Sequence, residues 1–280
     1  TTLGVTGIVQ LSGGSGIKGF LGDGSGHGSN CASIAAGNTC GWAREAKIYS
    51  IRAVQGSSPN TDIITGNTLG VHDINLVFDL VKAFHLAKPI KSNGFRSPTI
   101  CTNSWTIYKS YNGMVSTNWR GTSYPTPTPN VDYGQITTFG NNHCIRNTSL
   151  DISIASAMAA GVIVLGASGN YGHKIDVSGG IDYNNYWSDG YSNWYYHRGS
   201  TPGSSSGTVN NKIYKVITVG ALDNASPERK TSFSETGPGV DIYAPGRYIV
   251  GAGSTKLGSA LTDSRNSTYQ LSKISGSSMA

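Results

Sequence analysis

The chain has 280 residues, of which 37% are hydrophobic and only 13% charged, and it carries 38 glycines. This composition allows one large buried core and favours tight turns and close backbone approaches over charged helical surfaces. The net charge of +6 is spread along the chain without a long run of lysine or arginine, which argues against a nucleic-acid-binding protein. No apolar stretch is long enough to predict a membrane-spanning segment.

Strands and helices alternate along much of the chain. The small residues 31–36 predict a helix that ends at Gly37, and the alternating residues 48–54 predict a strand. Residues 73–87 have the amphipathic pattern of a helix, which Pro89 closes. A short buried strand is predicted at 97–105, a further helix at 150–160, and strands at the apolar runs 161–166 and 214–221.

The strands are mostly unbroken apolar runs separated by helices, and this indicates a parallel sheet covered on both faces. We therefore predict an α/β fold, a three-layer sandwich with a mostly parallel central sheet, in a single domain over residues 1–280. Two long, polar segments at about 108–148 and 171–211 interrupt the alternation, and we interpret them as insertions. The second carries seven aromatic residues between Tyr183 and Tyr196, which argues against disorder.

The four cysteines show no C-x-x-C spacing of a metal site. Cys31 and Cys101 lie in apolar runs that we expect to be buried, where a cysteine usually acts as a small hydrophobic residue. Cys40 and Cys144 are compatible either with free thiols or with a disulfide.

Three glycine-flanked motifs supply the residue types of an acyl-transfer site. They are Gly-His-Gly-Ser-Asn-Cys-Ala at residues 26–32, Gly-Ala-Ser-Gly-Asn at 166–170 and Gly-Ser-Ser-Met-Ala at 276–280. A neutral imidazole can take the proton of a serine hydroxyl during attack on a carbonyl, and an amide N–H can stabilise the resulting oxyanion. His27, Ser278 and Asn170 are therefore the candidate general base, nucleophile and oxyanion donor. Taken singly, the histidine and serine motifs are more often ordinary loop or tail residues, and Asn170 is equally compatible with a simple left-handed turn after a strand.

The order of these motifs resembles that of the subtilisin-like serine peptidases. The stretch that begins at His27 is similar to the family's His-Gly-Thr-His-x-Ala-Gly signature, with Asn30 in place of the second histidine. Residues 164–170 resemble its apolar strand running into Ala-Gly-Asn, and residues 276–280 resemble Gly-Thr-Ser-Met-Ala. Residues 232–234 and 237–246 follow the family's run between these two motifs, so the resemblance covers most of residues 24–280 apart from the insertions.

The resemblance implies a serine endopeptidase that cleaves a polypeptide substrate through an acyl-enzyme. It also implies that Ser104, Trp105 and Thr106 pair with an extended substrate as an added strand, although the family usually has glycine at the position of Thr106. Ala167, Ser168 and Gly169 are implied to form the opposite wall of the primary specificity pocket. No cofactor is expected, and no metal site either, because residues 37–41 lack the calcium-binding loop of the best-known members.

The family's catalytic aspartate lies on a strand upstream of the histidine, and this chain offers no good counterpart. Leu-Ser-Gly at residues 11–13 lies in a comparable setting, but its spacing to His27 is too short. Asp23 is nearer, and we predict that it forms a local cap. We expect the aspartate to precede Thr1, and because the chain also stops at Ala280, before the nucleophile's helix, we expect a chain truncated at both ends.

A different interpretation is a catalytically inactive subtilisin-like fold that serves as a structural or binding part of a larger assembly, such as a phage virion. Residues 41–49 are similar to subtilases of tailed phages, and an extracellular or virion-associated location fits either interpretation. The aromatic insertion is then a candidate contact surface for a protein partner. Its alternatives are a rigid lid over the site and a self-contained subcore.

Overall fold

The computed structural model describes Asp23 and residues 25–51, 74–125, 133–134, 140–253, 257 and 260–280. These residues belong to two compact units. The first unit consists of the described residues up to Ser97 and of Val250–Lys273, and the second consists of Pro98–Ile249 and Ile274–Ala280. The single domain over residues 1–280 stays a prediction.

In the described part of the chain the helices are α1 (His27–Ala36), α2 (Ile74–Ala87) and α3 (Thr148–Ala159). The strands there are β1 (Ile100–Asn103), β2 (Tyr108–Ser110), β3 (Ser116–Trp119), β4 (Thr122–Pro125), β5 (Asn142–Cys144), β6 (Ile163–Ala167), β7 (Tyr186–Ser188), β8 (Asn193–Tyr195), β9 (Ser206–Val209), β10 (Lys212–Lys215), β11 (Ile217–Leu222), β12 (Ile242–Pro245), β13 (Ile249–Ala252), β14 (Ala260–Asp263) and β15 (Asn266–Ile274).

A parallel sheet with the order β1-β6-β11-β12 forms the centre of the second unit. The strand β6 pairs with both β1 and β11, and Gly166 lies opposite Asn103 on one side and Thr218 on the other. The apolar run predicted at 161–166 becomes the inner strand β6, and the predicted α/β fold with a parallel central sheet is confirmed. Because all four strands run in the same direction, the residues that follow β1 and β6 meet at one edge of the sheet.

The helix α3 begins slightly before the predicted residues 150–160 because Asn147 caps it. The Asn147 side chain accepts the backbone N–H of Leu150 at 3.1 Å and so satisfies one of the unpaired amides of the first turn. The helix packs on β6 and on the hairpin of β9 and β10. Leu150 and Ile154 are fully buried and supply its part of the core.

The two predicted insertions pack against each other. They share an antiparallel sheet with the order β4-β3-β7-β8, in which β3 comes from the first insertion and β7 from the second. Trp187 and Tyr196 of the second insertion are 0% and 1% exposed and form a hydrophobic cluster with Tyr111 of the first. These three aromatic residues therefore form a small subcore, whereas Tyr191 is 98% exposed.

The first unit contains α1, α2 and the antiparallel strands β14 and β15, with β13 beside β15. The apolar face predicted for α2 is confirmed, since Val77, Phe78 and Val81 are buried.

The strand predicted at 48–54 is wrong for residues 48–51, because these residues pair with no described strand. Residues 52–54 lie outside the described residues. The alternation there has no sheet face to pack on, and Ile48 and Ile51 are exposed. None of the helices within the described ranges is long and apolar enough to cross a bilayer.

All four cysteines are free thiols in this structure. Cys144 is buried, while Cys31 and Cys101, which we expected to be buried, are half-buried. Cys31 lies within α1 and Cys101 on β1, and each remains partly accessible. The described residues contain no group of three or more His, Cys, Asp and Glu side chains that could hold a metal ion.

Candidate active site

Ser278 is bound to the residue that follows β1 by two reciprocal hydrogen bonds. Its hydroxyl donates to the Ser104 carbonyl at 3.1 Å, and the Ser104 hydroxyl donates to the Ser278 carbonyl at 2.9 Å. Ser278 is half-buried, so its hydroxyl remains within reach of solvent. The pair places the candidate nucleophile at the edge of the sheet where β1 ends.

Ser277 joins the same segment to the turn that follows β6. Its backbone N–H donates to Asn170 Oδ1 at 2.9 Å, and its hydroxyl accepts the Gly169 N–H at 3.2 Å. The first of these bonds fixes the orientation of the Asn170 amide, because the oxygen is directed at Ser277. The amide nitrogen Nδ2 then lies on the side of Gly276 and donates to no other described residue.

Gly169 occupies a position that only glycine fits. Its φ is +120°, and a Cβ there would lie 2.8 Å from both Cys144 Sγ and Glu235 Oε1. The preceding residues Ala167 and Ser168 are buried as well. The segment 167–169, predicted to be a wall of the specificity pocket, is therefore backed directly by a thiol and a carboxyl group.

The segment 104–106 lies on the other side of the same sheet edge. Trp105 and Thr106 are half-buried and form no backbone–backbone hydrogen bond to other described residues. The chain is paired again immediately afterwards, where Ile107 N–H donates to the Thr201 carbonyl at 3.1 Å and Ile145 N–H donates to the Ile107 carbonyl at 3.0 Å. A short stretch of backbone that follows β1 is thus left without a strand partner within the described ranges.

His27 is the first residue of α1 and lies in the first unit. Burial lowers the pKa of its imidazole below the ordinary value, while the negative charge of Asp23 opposes that shift. The thiol of Cys31, one turn further along α1, lies 3.8 Å from Nε2 and 3.9 Å from Nδ1. The neutral imidazole, the form that a general base requires, is therefore favoured at neutral pH.

Asp23 forms the local cap that the sequence predicts. Its carboxylate accepts the backbone N–H groups of Gly26 at 2.9 Å and of Ser29 at 2.6 Å. These bonds satisfy amides at the beginning of α1, and a negative charge there is favourable because of the helix dipole. The cap explains why α1 begins at His27 rather than at the predicted residue 31.

Glu235 is a buried acid beside the site that sequence reasoning missed. Its side chain is fully buried, and Oε1 accepts the Tyr171 N–H at 3.2 Å and the Cys144 thiol at 3.8 Å. Burial raises the pKa of this carboxyl to about 8, so it is neutral at pH 7. The only hint in the sequence was an acidic residue directly after the Ser-Phe-Ser run at 232–234.

The structure thus brings together Ser278, Asn170, the segment 104–106 and the segment 167–169 in the second unit, whereas His27 belongs to the first. Sequence reasoning also missed the role of Ser277, since the motif identified only the second of its two serines.

Two solved structures are similar to this chain at low sequence identity. A cold-adapted subtilisin-like serine proteinase has a TM-score of 0.46 and 17% identity, with 91% of this chain and 56% of that one covered. A protease of Pseudoalteromonas arctica has a TM-score of 0.44 and 15% identity, with 91% of this chain and 54% of that one covered.

A subtilisin-like protease of Coccidioides posadasii is 24% identical over 260 residues, which are 92% of this chain and 35% of the relative. The chain thus spans about a third of the length of this curated relative. The model of the Subtilase family, peptidase S8, matches residues 18–280. With nearly all of its length matched, the chain belongs to the subtilase family.

Proposed function

We propose that the intact protein is a serine endopeptidase that cleaves polypeptides through an acyl-enzyme. In this mechanism His27 accepts the proton of the Ser278 hydroxyl as Oγ attacks the scissile carbonyl. The protonated imidazole then gives that proton to the leaving amine, and the acyl group remains on Ser278. A water molecule, activated by the same histidine, then attacks the acyl-enzyme and releases the acyl group from Ser278.

The observation that carries the proposal is the bond from the Ser277 N–H to Asn170 Oδ1 at 2.9 Å. It ties the residue before the nucleophile to the amide side chain and leaves Nδ2 as a donor beside Gly276. Nδ2 and the backbone N–H of Ser278 are the donors that we assign to the oxyanion hole. Loss of one such donor in subtilisin, the namesake of the family, costs about 2.7–4 kcal/mol of transition-state stabilisation.

The Ser278 hydroxyl must change its partner before it attacks. In this structure it donates to the Ser104 carbonyl at 3.1 Å, so attack requires rotation about χ1 away from that carbonyl. Rotation between staggered rotamers of a half-buried serine is an ordinary event. We interpret the pair with Ser104 as the resting state of the nucleophile.

The substrate is a polypeptide, as the family implies, and we propose that it binds between segments 104–106 and 167–169. The unpaired backbone of Trp105 and Thr106 supports strand addition on one side. Ala167, Ser168 and Gly169 line the other side, where the tight packing behind Gly169 limits the depth of the pocket.

A second candidate function is that of an inactive structural component. The two reciprocal hydrogen bonds between Ser104 and Ser278 support this function, because they stabilise the fold whether or not Ser278 reacts. A protein partner would then contact the aromatic insertion through residues that its subcore leaves exposed, such as Tyr191. The curated relative from Coccidioides posadasii gives no support to a phage-encoded protein.

A fluorophosphonate probe on the full-length protein tests the proposal. Labelling of wild type, its loss in Ser278→Ala and its persistence in Ser267→Ala support the peptidase, since Ser267 is an exposed serine of β15. Persistent labelling of Ser278→Ala contradicts the assignment of the nucleophile. Folded wild-type protein that takes up no probe contradicts the peptidase and favours the structural component.

A further inference from the structure

Glu235 lies behind the turn that carries Asn170, on a segment that pairs with the residues following that turn. The Gly172 N–H donates to the Phe233 carbonyl at 2.8 Å, and the Thr236 N–H donates to the His173 carbonyl at 2.9 Å. This pairing directs the Glu235 side chain toward the turn. The site therefore has Ser277 on one side and a buried carboxyl group on the other.

The carboxyl group of Glu235 contacts both neighbours of Asn170. Oε1 accepts the N–H of Tyr171 at 3.2 Å. The same oxygen lies 2.8 Å from the position that a Cβ on Gly169 would occupy, which means that the carboxyl packs directly against the Gly169 backbone. The backbone on each side of the oxyanion donor thus rests on one acidic group.

The surroundings of Glu235 disfavour its charged form. Burial is the main reason that its pKa is raised to about 8, while hydrogen bonds from Tyr171, His173 and Cys144 and the charge of Lys230 oppose the shift. The Lys230 ammonium donates to the carbonyls of Thr231 and Ser234. Oε2 has no hydrogen-bond partner among the described residues.

Several titratable groups on other parts of the chain face this carboxyl group. They are Cys144 on β5, Tyr111 after β2, Tyr171 and His173 after the turn, and Lys230 after β11.

We infer that Glu235 is a positioning residue for the oxyanion donor: its uncharged carboxylic acid holds the backbone on both sides of Asn170, and its ionisation weakens oxyanion stabilisation. This inference rests on the proposed peptidase function. A negative charge directly behind the turn repels the negative charge that develops on the substrate oxygen, and the repulsion is strengthened because Glu235 itself is fully buried.

The first test is the alkaline limb of the activity. In the full-length protein kcat/KM should fall by about tenfold as Glu235 ionises, the size of effect expected for one unfavourable buried charge close to the developing oxyanion. Glu235→Gln keeps an oxygen for the Tyr171 N–H but cannot ionise, so this fall should be absent. Glu228→Gln, at an exposed glutamate on the loop leading to Glu235, should keep the wild-type profile.

The second test does not depend on activity. The side-chain amide resonance of Asn170, followed by nuclear magnetic resonance in the full-length protein, should shift with a midpoint at pH of about 8 and should not do so in Glu235→Gln. An Asn170 resonance that stays constant in wild type from pH 6 to about 10 overturns the inference, even if the variant fails to fold. The same alkaline limb in wild type and Glu235→Gln also overturns it.

The two tests separate this inference from the proposed function. Protein that shows the Asn170 shift but cleaves no peptide contradicts the peptidase and still supports the contact between Glu235 and the turn. Active protein without the shift supports the peptidase and overturns the role of Glu235.

Discussion

Ser278, Asn170 and His27 are the residues that the proposed chemistry requires, and each has a recognisable physical setting. The Asn170 oxygen is bound by the Ser277 N–H, so the side chain presents its nitrogen rather than its oxygen to a developing negative charge. His27 begins a helix whose first amides are capped by Asp23, and burial favours the neutral form of its imidazole. These properties suit an oxyanion donor and a general base.

The pH dependence of acylation tests the setting of His27. Because burial lowers the pKa of His27 below 6.5, the base stays neutral to lower pH, and kcat/KM should rise with pH through a midpoint below 6.5. Asp23→Asn removes the charge that raises this pKa, so the midpoint should move lower still. A midpoint above 6.5, or a shift upward in Asp23→Asn, contradicts this setting. Asp79→Asn, at an exposed aspartate of α2, serves as the control.

At the scale of elements, the carboxyl ends of β1 and β6 place the segments 104–106 and 167–170 next to each other. This arrangement follows from the parallel pairing in which Asn103 lies opposite Gly166. The turn after β6 depends on Gly169, whose backbone conformation and close neighbours both exclude a side chain. The turn and the segment 276–278 then fix each other through Ser277.

Substitutions at two glycines separate backbone strain from close packing as the reasons that this turn requires Gly169. Gly179→Ala introduces a side chain at φ +89° with open space around it and should cost about 1–2 kcal/mol of unfolding free energy. Gly169→Ala adds to a similar strain a clash with Cys144 and Glu235, and overpacking costs about 1–3 kcal/mol more. Urea unfolding of the full-length protein measures both. Equal losses for the two variants would contradict the close packing behind Gly169.

The sequence was most informative where the pattern is local. The apolar runs at 161–166 and 214–221 predicted β6 and β11, and the glycine-flanked motifs identified the turn after β6 and the segment at 276–280. The strand at 97–105 was predicted too long, since β1 spans only Ile100–Asn103. Helix starts depend on individual side-chain caps, so Asn147 and Asp23 moved α3 and α1 toward the N-terminus.

Long-range pairing could not be predicted from these patterns. Nothing in the local sequence shows that β3 pairs with β7, because the residues that pair are far apart in the chain. For the same reason Glu235 was missed: a glutamate in a polar loop usually faces water, and only the pairing of residues 233–236 with 172–175 carries it behind Asn170.

For the molecule as a whole, the insertions add a buried aromatic cluster that contains titratable groups. His143 is fully buried, its Nε2 accepts the Trp187 indole N–H at 2.6 Å, and its Nδ1 lies 3.1 Å from the Cys144 carbonyl. The neutral imidazole satisfies both contacts, and burial lowers its pKa from 6.5 to about 3. A second proton would have to face the indole N–H.

Because of this histidine, the stability of the folded protein depends on pH in the acidic range. Since the folded protein binds the proton less tightly than the unfolded chain, stability is fully present above pH 6.5 and falls as pH decreases toward about 3. The full loss amounts to about 4–5 kcal/mol. Thermal unfolding at a series of pH values measures how steeply the stability changes with pH. This slope should be smaller in His143→Gln and unchanged in Tyr191→Phe, because Tyr191 is exposed. An unchanged slope in His143→Gln would show that His143 does not titrate in this way.

The acyl-enzyme itself is the most direct measurement of the proposed chemistry. The full-length protein is mixed with an activated peptide ester, quenched in acid within the first turnover, digested and mapped by mass spectrometry. The mechanism predicts the acyl group on Ser278, its absence in Ser278→Ala and its slower accumulation in Asn170→Ala. Peptide cleavage that proceeds without an adduct on Ser278, or an adduct on another serine, would contradict it.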